Sequence, residues 1–358
     1  MDSLFYNLPY GFCSFEEIKD SLIECSAKKR LPENAKTVIS VLFPYYLGED
    51  FYEGSNVSRY AVSEDYHIIA GNIINSIKEN LEREFEGFKF EAFIDNSPLP
   101  EVRCAVRAGL GVMGVNNLFI NKDYGSWVFL GEIVTDKEFP VSEGEYSLCD
   151  GCNKCISACP GNALTGKGLI KERCLSFLSQ KKGELSRDIQ EKIASTGCIW
   201  GCDICQEVCP HAKGAQKTPI DFFKSELTPN LTREILDSMD DREFSERAYS
   251  WRGRKTIERN IRIMKNTKVL FIGNSYTYFS DMPKIFEALA KENGFLCTAL
   301  SVTRGGWWLI GHASPEDESG KKVYETLENE ENIDFDSCYY KSLRMHQRGK
   351  FCLSFKRS

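Results

Sequence analysis

The chain has 358 residues, 42% apolar and 27% charged, with a formal net charge of −7 and fifteen cysteines (Cys 15). That length supports more than one domain and a substantial core, and the acidic balance excludes a broadly basic nucleic-acid surface while leaving room for a local patch. No run approaches the ~18 apolar residues of a membrane span, and MDSLFYNLPYG opens with neither a basic nor an apolar leader block, so a soluble, cytoplasmic monomer is expected.

In chain order, Pro44-Tyr45 stands near the end of a strand, and SRYAVSEDYH (Ser58 to His67) carries a helix start with Ser63 as N-cap and His67 in the first turn. DNSPLPE (Asp95 to Glu101) reads as a turn, where an aspartate commonly bonds its own backbone. PLPEVRCAVRA follows, with Val102, Ala105 and Val106 spaced as one helical face. Gly109-Leu-Gly-Val-Met-Gly114 spells the dinucleotide pattern G-x-G-x-x-G. No strand feeds it, and LFI and WVFLGEIV, joined by KDYGS, predict a hairpin where the pattern requires a helix. The glycines are better read as permitting close backbone approach to a flat cofactor or to the cysteine-rich region.

Nine cysteines fall between Cys149 and Cys209. CDGCNKCISACP (Cys149 to Pro160) is C-x2-C-x2-C-x3-C-P, in which three thiolates wrap one [4Fe-4S] cluster and the fourth, at the proline, ligates a second. CIWGCDICQEVCP (Cys198 to Pro210) contains Cys202, Cys205 and Cys209 as C-x2-C-x3-C-P, so Cys209 crosses back to the first cluster. Two cubanes need eight thiolates, and Cys149, Cys152, Cys155, Cys209, Cys159, Cys202 and Cys205 supply seven. The spacing leaves Cys174 and Cys198 open as the eighth. Paired C-x2-C elements also suit zinc, but zinc does not call for two C-x3-C-P endings. The scattered Cys13, Cys25, Cys104, Cys297, Cys338 and Cys352 are expected to be reduced packing residues.

These motifs, together with Pro44-Tyr45, SRYAVSEDYH, DNSPLPE, RAGLGVMGVNN (Arg107 to Asn117), YGSWVFLGEIVT (Tyr124 to Thr135) and WRGRKTIERN (Trp251 to Asn260), resemble the epoxyqueuosine reductases over roughly residues 1 to 265. The resemblance implies a reductase that uses cobalamin and two [4Fe-4S] clusters in the last step of queuosine formation in tRNA, fed by a reduced flavodoxin or ferredoxin. It implies Cys174, in its Arg173-Cys174 context, as the eighth thiolate, and Asp95 as the proton donor to the departing oxygen, a role that asks it to hold its proton near neutral pH. It also turns Arg59, Tyr60, His67 and Ser126, with Lys122 beside them, toward the cofactor. The chain departs from the family at Val115, where a lysine is usual, and no helical-repeat segment follows the cysteines, so the short branch of the family is the nearer likeness. A cobalamin-dependent reductase of another substrate and a double-cluster electron carrier are the alternative readings.

The expected fold is α+β: a cobalamin-binding α/β domain over 1–140, a ferredoxin-like double-cluster domain over 141–265, and an incomplete α/β fragment over 266–358. In that fragment TKVLFIGNSYT (Thr267 to Thr277) and MPKIFEALAKENG resemble the first block of the SGNH-type hydrolases, with Ser275 at the nucleophile position and Gly306 at the oxyanion position. The later blocks are missing, His312 follows too closely to serve as the base, and His346 lies in a basic, aperiodic tail that reads as a truncation or frame shift. An inactive fragment is therefore expected, with Asn274 and Ser275 forming an ordinary turn.

Overall fold

The computed structural model describes the chain apart from positions 53, 144–148, 265–266, 274, 276–280, 293–296, 306–311, 313–315, 329–339, 342–349 and 352–358. It divides into two compact units, Met1–Met264 and Lys265–Ser358.

In the first unit the strands are β1 (Tyr10–Ser14), β2 (Thr37–Pro44), β3 (Phe90–Ile94), β4 (Val112–Met113), β5 (Phe119–Ile120) and β6 (Val128–Thr135). Four of them form a sheet in the order β1-β2-β6-β3, with every neighbour antiparallel. TVISVLFP is buried at all its positions, as a near-continuous apolar run demands when both faces of a strand are covered. Helix α1 (Tyr66–Glu84) buries Ile69, Ala70, Ile74, Ile77 and Leu81 as one stripe, each large side chain worth about 2 kcal/mol in apolar burial. On the opposite face α2 (Glu101–Arg107) sets Cys104, Ala105 and the following Ala108 against Cys13, Val38, Leu42, Phe93 and Val134. Gly11 permits this approach, because a Cβ there would overlap the Ala108 carbonyl oxygen.

Two expectations are corrected. The N-cap of α1 is Asp65, whose side chain accepts from the His67 N–H, because the Asp65 N–H is itself tied 2.8 Å from the Glu246 carbonyl and fixes where the helix begins. Ser63 instead donates to the Glu64 carbonyl. LFI and WVFLGEIV are not hairpin partners: β5 pairs back onto β4, while β6 runs between β2 and β3. A strand flanked on both sides satisfies the eight residues of β6 better than the two of β5 could.

The cysteine region supplies α3 (Lys154–Ala158), α4 (Leu175–Ser179), α5 (Arg187–Thr196) and α6 (Ile204–Glu207), followed by α7 (Arg233–Ser238), α8 (Asp241–Ser245) and α9 (Arg254–Met264). One hydrophobic core joins this region to the sheet, with Phe43, Trp127 and Ile133 packed in the same cluster as Trp200, Ala212, Phe223, Leu231 and Tyr249. The stretches 1–140 and 141–264 are thus parts of a single compact unit. In α9 the buried Asn260 donates to the Ser179 and Ile199 carbonyls at 2.8 and 2.7 Å, and Arg259 donates to the Ser179 and Lys181 carbonyls at 3.0 and 2.6 Å. The end of WRGRKTIERN therefore pins the loops that carry the cysteines.

The second unit places β7 (Thr267–Gly273) parallel to β8 (Cys297–Thr303), with α10 (Met282–Glu292) between them in sequence and α11 (Glu318–Glu328) following. Ser275 lies two residues beyond β7, and His312 is buried. Asn274, Thr277, Gly306 and His346 lie outside the described residues. Among the described residues no helix is long and apolar enough to cross a membrane.

Candidate functional site

The cysteines gather into two groups. Cys149, Cys152, Cys155 and Cys209 line a small cavity that opens to solvent, together with Val115, Asn116, Ile120 and His211. The second group is evident from mutual electrostatics: burial raises the proton affinity of Cys202 and Cys205, and the nearby Cys174 and Cys159 add to it in both cases. Cys198 is turned elsewhere, its thiol 3.1 Å from the Trp200 carbonyl and pushed up to about 12 by burial. Among the described residues no three His, Cys, Asp or Glu side chains converge on a point that suits a single metal ion. Four thiols spread around a cavity suit a polynuclear cluster instead.

The turn that follows the glycine pattern forms one wall of that cavity, through Val115, Asn116 and Ile120. Gly109 has φ 70, and a Cβ on Gly111 would overlap the Ile120 carbonyl oxygen, so β4 and β5 approach closely only because position 111 has no side chain. The turn between them closes with Gly114 N–H on Leu118 O and Asn117 at φ 64. At its tip the Val115 N–H points at Cys149 Sγ, 3.4 Å away. Val115, directly behind the pattern, is the residue that meets the cysteine region, so the departure at that position lies beside a thiol.

The join between sheet and cysteines is built on Asp203. Its carboxylate accepts from Ser58 Oγ and from the Arg59 N–H, both at 2.6 Å, while Ser58 N–H donates to Trp200 O. Gly201 fits beneath Ser58 because a Cβ there would overlap it. Arg59 is itself buried, its guanidinium paired with both Glu49 oxygens at 3.1 and 2.9 Å and with Glu207 at 3.3 Å. The rings of Trp127 and Tyr52 lie 4.5 and 4.6 Å from that guanidinium. Tyr60 accepts from Trp200 Nε1 at 2.8 Å. Tyr60 thus spends its hydroxyl on an internal partner and Arg59 its terminal nitrogens, while Arg59 Nε and the Ser126 hydroxyl are buried and unpartnered and Lys122 is exposed.

Asp95 follows directly on β3, and it and Asn96 have φ 45 and 22. Non-glycine residues held there cost on the order of 1–3 kcal/mol each, a strain that clusters at functional sites. Asp95 Oδ2 accepts from Tyr66 OH at 2.9 Å and lies 3.2 Å from His67 Nε2. His67 Nδ1 lies 2.7 Å from Asp65, so the imidazole is held between two carboxylates at the start of α1. Those hydrogen bonds, Asp65 first and Asp95 second, raise His67 to about 9. The His67 contact, aided by Tyr66, lowers Asp95 to about 2. In this arrangement the proton therefore rests on His67, where the sequence reading asks for it on Asp95. Glu101, at the start of α2, is pushed up to about 7 by burial and then by the Asp95 charge. The Tyr66 ring stacks on Phe129 at 4.0 Å.

Sequence reasoning named Asp95 and His67 but not their pairing, and it missed Asp65, Tyr66 and Asp203. A signal for Asp65 was present, since an Asp two residues before His67 is a common capping arrangement. Asp203 carried none, because its partners stand some 145 positions earlier (|i−j|=145).

Residues 148–212 match the family model described as a 4Fe-4S double cluster binding domain, and residues 26–96 match that of "Epoxyqueuosine reductase QueG, DUF1730". The chain is 37% identical over 276 residues to an epoxyqueuosine reductase of Lactococcus garvieae, covering 73% of this chain and 75% of that one. It is 32% identical over 251 residues to one of Cyclobacterium marinum, covering 66% and 79%. Among solved structures, an epoxyqueuosine reductase from Streptococcus thermophilus superposes with a TM-score of 0.61 at 27% identity, over 80% of this chain and 82% of that one. An epoxyqueuosine reductase with an epoxyqueuosine-modified tRNA stem loop gives 0.61 at 26% identity, over 74% and 80%.

Proposed function

This chain belongs to the epoxyqueuosine reductase family, and from that premise we propose that it reduces epoxyqueuosine in tRNA to queuosine, using two [4Fe-4S] clusters and cobalamin. The observation that carries the reading is the union, in one compact unit, of two thiol groups suited to clusters and a strained carboxylate backed by a protonated imidazole. Electrons and protons are what removal of an epoxide oxygen as water consumes.

In this reading Cys149, Cys152, Cys155 and Cys209 hold one cluster, and Cys159, Cys174, Cys202 and Cys205 hold the other. The thiol-lined cavity fits the first, and the unpartnered Ser126 hydroxyl is an open hydrogen-bonding position of the kind a bound polar group fills. Cobalamin, when bound, supplies a low-valent and strongly reducing cobalt. Ser126 and His67 are the chain's candidates to face it, with Arg59 and Tyr60 bracing the wall behind. His67 delivers its proton to Asp95 across their 3.2 Å contact, and Asp95 passes it to the departing oxygen. The positive φ of Asp95 and Asn96 holds that carboxyl out from the end of β3. A reduced flavodoxin or ferredoxin feeds the clusters. The second unit is an α/β fragment to which no hydrolytic step is assigned.

Anaerobic reconstitution should give about eight irons per chain, a changed cobalt absorption spectrum on mixing with cobalamin, and turnover of an epoxyqueuosine-containing stem loop. Clusters without cobalamin binding would leave only the electron-carrier reading. Cobalamin binding without turnover of the stem loop would point to another substrate.

A further inference from the structure

The carboxyl behind Asp95 has no part in the steps above. Glu101 opens α2 and keeps Oε1 buried without a partner. Deeper in the sheet Glu132 lies opposite Ser40 of β2 and Phe93 of β3. It is 0% exposed, and both its oxygens and Ser40 Oγ are unpartnered. A charge cannot be held at such a place without compensation, so Glu132 is a neutral acid, its proton affinity raised first by burial and then by Glu101. The groups that face this pair are Asp95 and His67 from the outer side, and Cys13 and Cys104, both buried and free, from β1 and α2. On the inner side Glu132 and Cys104 already hold their protons, whereas Asp95 is ionised, so the acceptor for a proton that leaves Glu101 is Asp95.

Removal of the epoxide oxygen breaks both C–O bonds, forms a C=C bond, releases water, and consumes two electrons and two protons. The electrons come one at a time from a low-potential donor of the flavodoxin or ferredoxin class. His67, through Asp95, accounts for one proton. We propose that Glu101 stores the second proton and passes it to the Asp95 carboxylate, which delivers it to the oxygen already protonated once, so that water departs. Glu101 and His67 are then reprotonated from solvent on the side where His67 is 44% exposed. Glu101 acts through Asp95 and is a positioning and relay residue rather than a group in contact with substrate. This inference rests on the reading of Asp95 as the final donor.

The test uses the reconstituted full chain in two measurements. Infrared spectroscopy across neutral pH should show a protonated-carboxyl C=O band that titrates in the wild type, is missing in E101Q and persists in E132Q. In steady state with the stem loop, E101Q should lose about 10- to 100-fold in kcat with KM held and its pH profile flattened near neutrality, while E101D, which restores a titrating group, recovers part of the loss. Iron content identical to wild type confirms that the variants fold. If Asp95→Asn turns over normally, the reading of Asp95 fails. If Asp95→Asn is inactive while E101Q keeps the wild-type profile, or the titrating band survives in E101Q, the relay fails and the reading of Asp95 stands.

Discussion

Replacing Asn260 with alanine tests whether α9 holds the cluster loops. The side chain is fully buried, and its amide donates to the Ser179 and Ile199 carbonyls at 2.8 and 2.7 Å. Its oxygen accepts from Arg259 Nε and a terminal nitrogen at 3.0 and 2.8 Å. Alanine removes a donor from both carbonyls, and a buried carbonyl left unpaired costs about 1–3 kcal/mol. Arg259 still reaches Ser179, so the net loss is set mainly by Ile199 and by the small cavity left behind, about 3 kcal/mol in all. Ile199 lies three residues before Cys202, and Ser179 Oγ accepts from Gly201 N–H, so the damage should fall on the second thiol group. The assay pairs urea unfolding of the reconstituted protein with iron content. We expect the midpoint to fall and iron to drop toward four per chain. Asn260→Asp, which removes both donors and sets a carboxylate against two carbonyls, should be worse than alanine. A loss below about 1 kcal/mol with full iron would refute the pinning role.

The His67–Asp95 pair gives a pH dependence with a defined sign. A His raised from 6.5 to about 9 contributes stability that is present below 6.5 and lost as pH climbs through 9, and an Asp lowered from 3.8 to about 2 contributes stability present above 3.8 and lost as pH falls through 2. H67Q should remove the alkaline loss and weaken the acid one, and the difference in Tm between wild type and H67Q across pH isolates the pair from Glu101. Val115→Lys places a cation beside Cys149 and should raise the midpoint potential of that cluster, read by redox titration followed by EPR; an unchanged potential would remove position 115 from the cluster wall. Gly111→Ala forces β4 from β5 and should cost the same cluster its iron before it costs the sheet its circular dichroism signal.

What could be read from the chain alone was whatever depends on residues close in sequence. The C-x2-C spacings mark the thiol groups because one loop wraps several corners of a cluster, and the helix over Val102, Ala105 and Val106 follows from a local repeat. The N-cap of α1 was misplaced by two residues because a tertiary bond to Glu246 outweighs the local preference of Ser63. The partner of β5 was misjudged because strand pairing is settled by the whole sheet. Asp95 was legible, but its charge state was not, since that is set by a histidine 28 positions away. Glu132 had a faint signature as a single acid in the apolar run VFLGEIVT, which alternation alone cannot tell from a solvent-facing residue.

The core that runs unbroken from Phe43 to Trp200, with Asp203 clasping Ser58 and Arg59, ties assembly to chemistry. Ligand binding to thiols is paid back as folding free energy wherever the liganded loops share a cooperative unit with the rest. Loss of a cluster would therefore also draw on the stability of the sheet whose strand β3 ends beside Asp95.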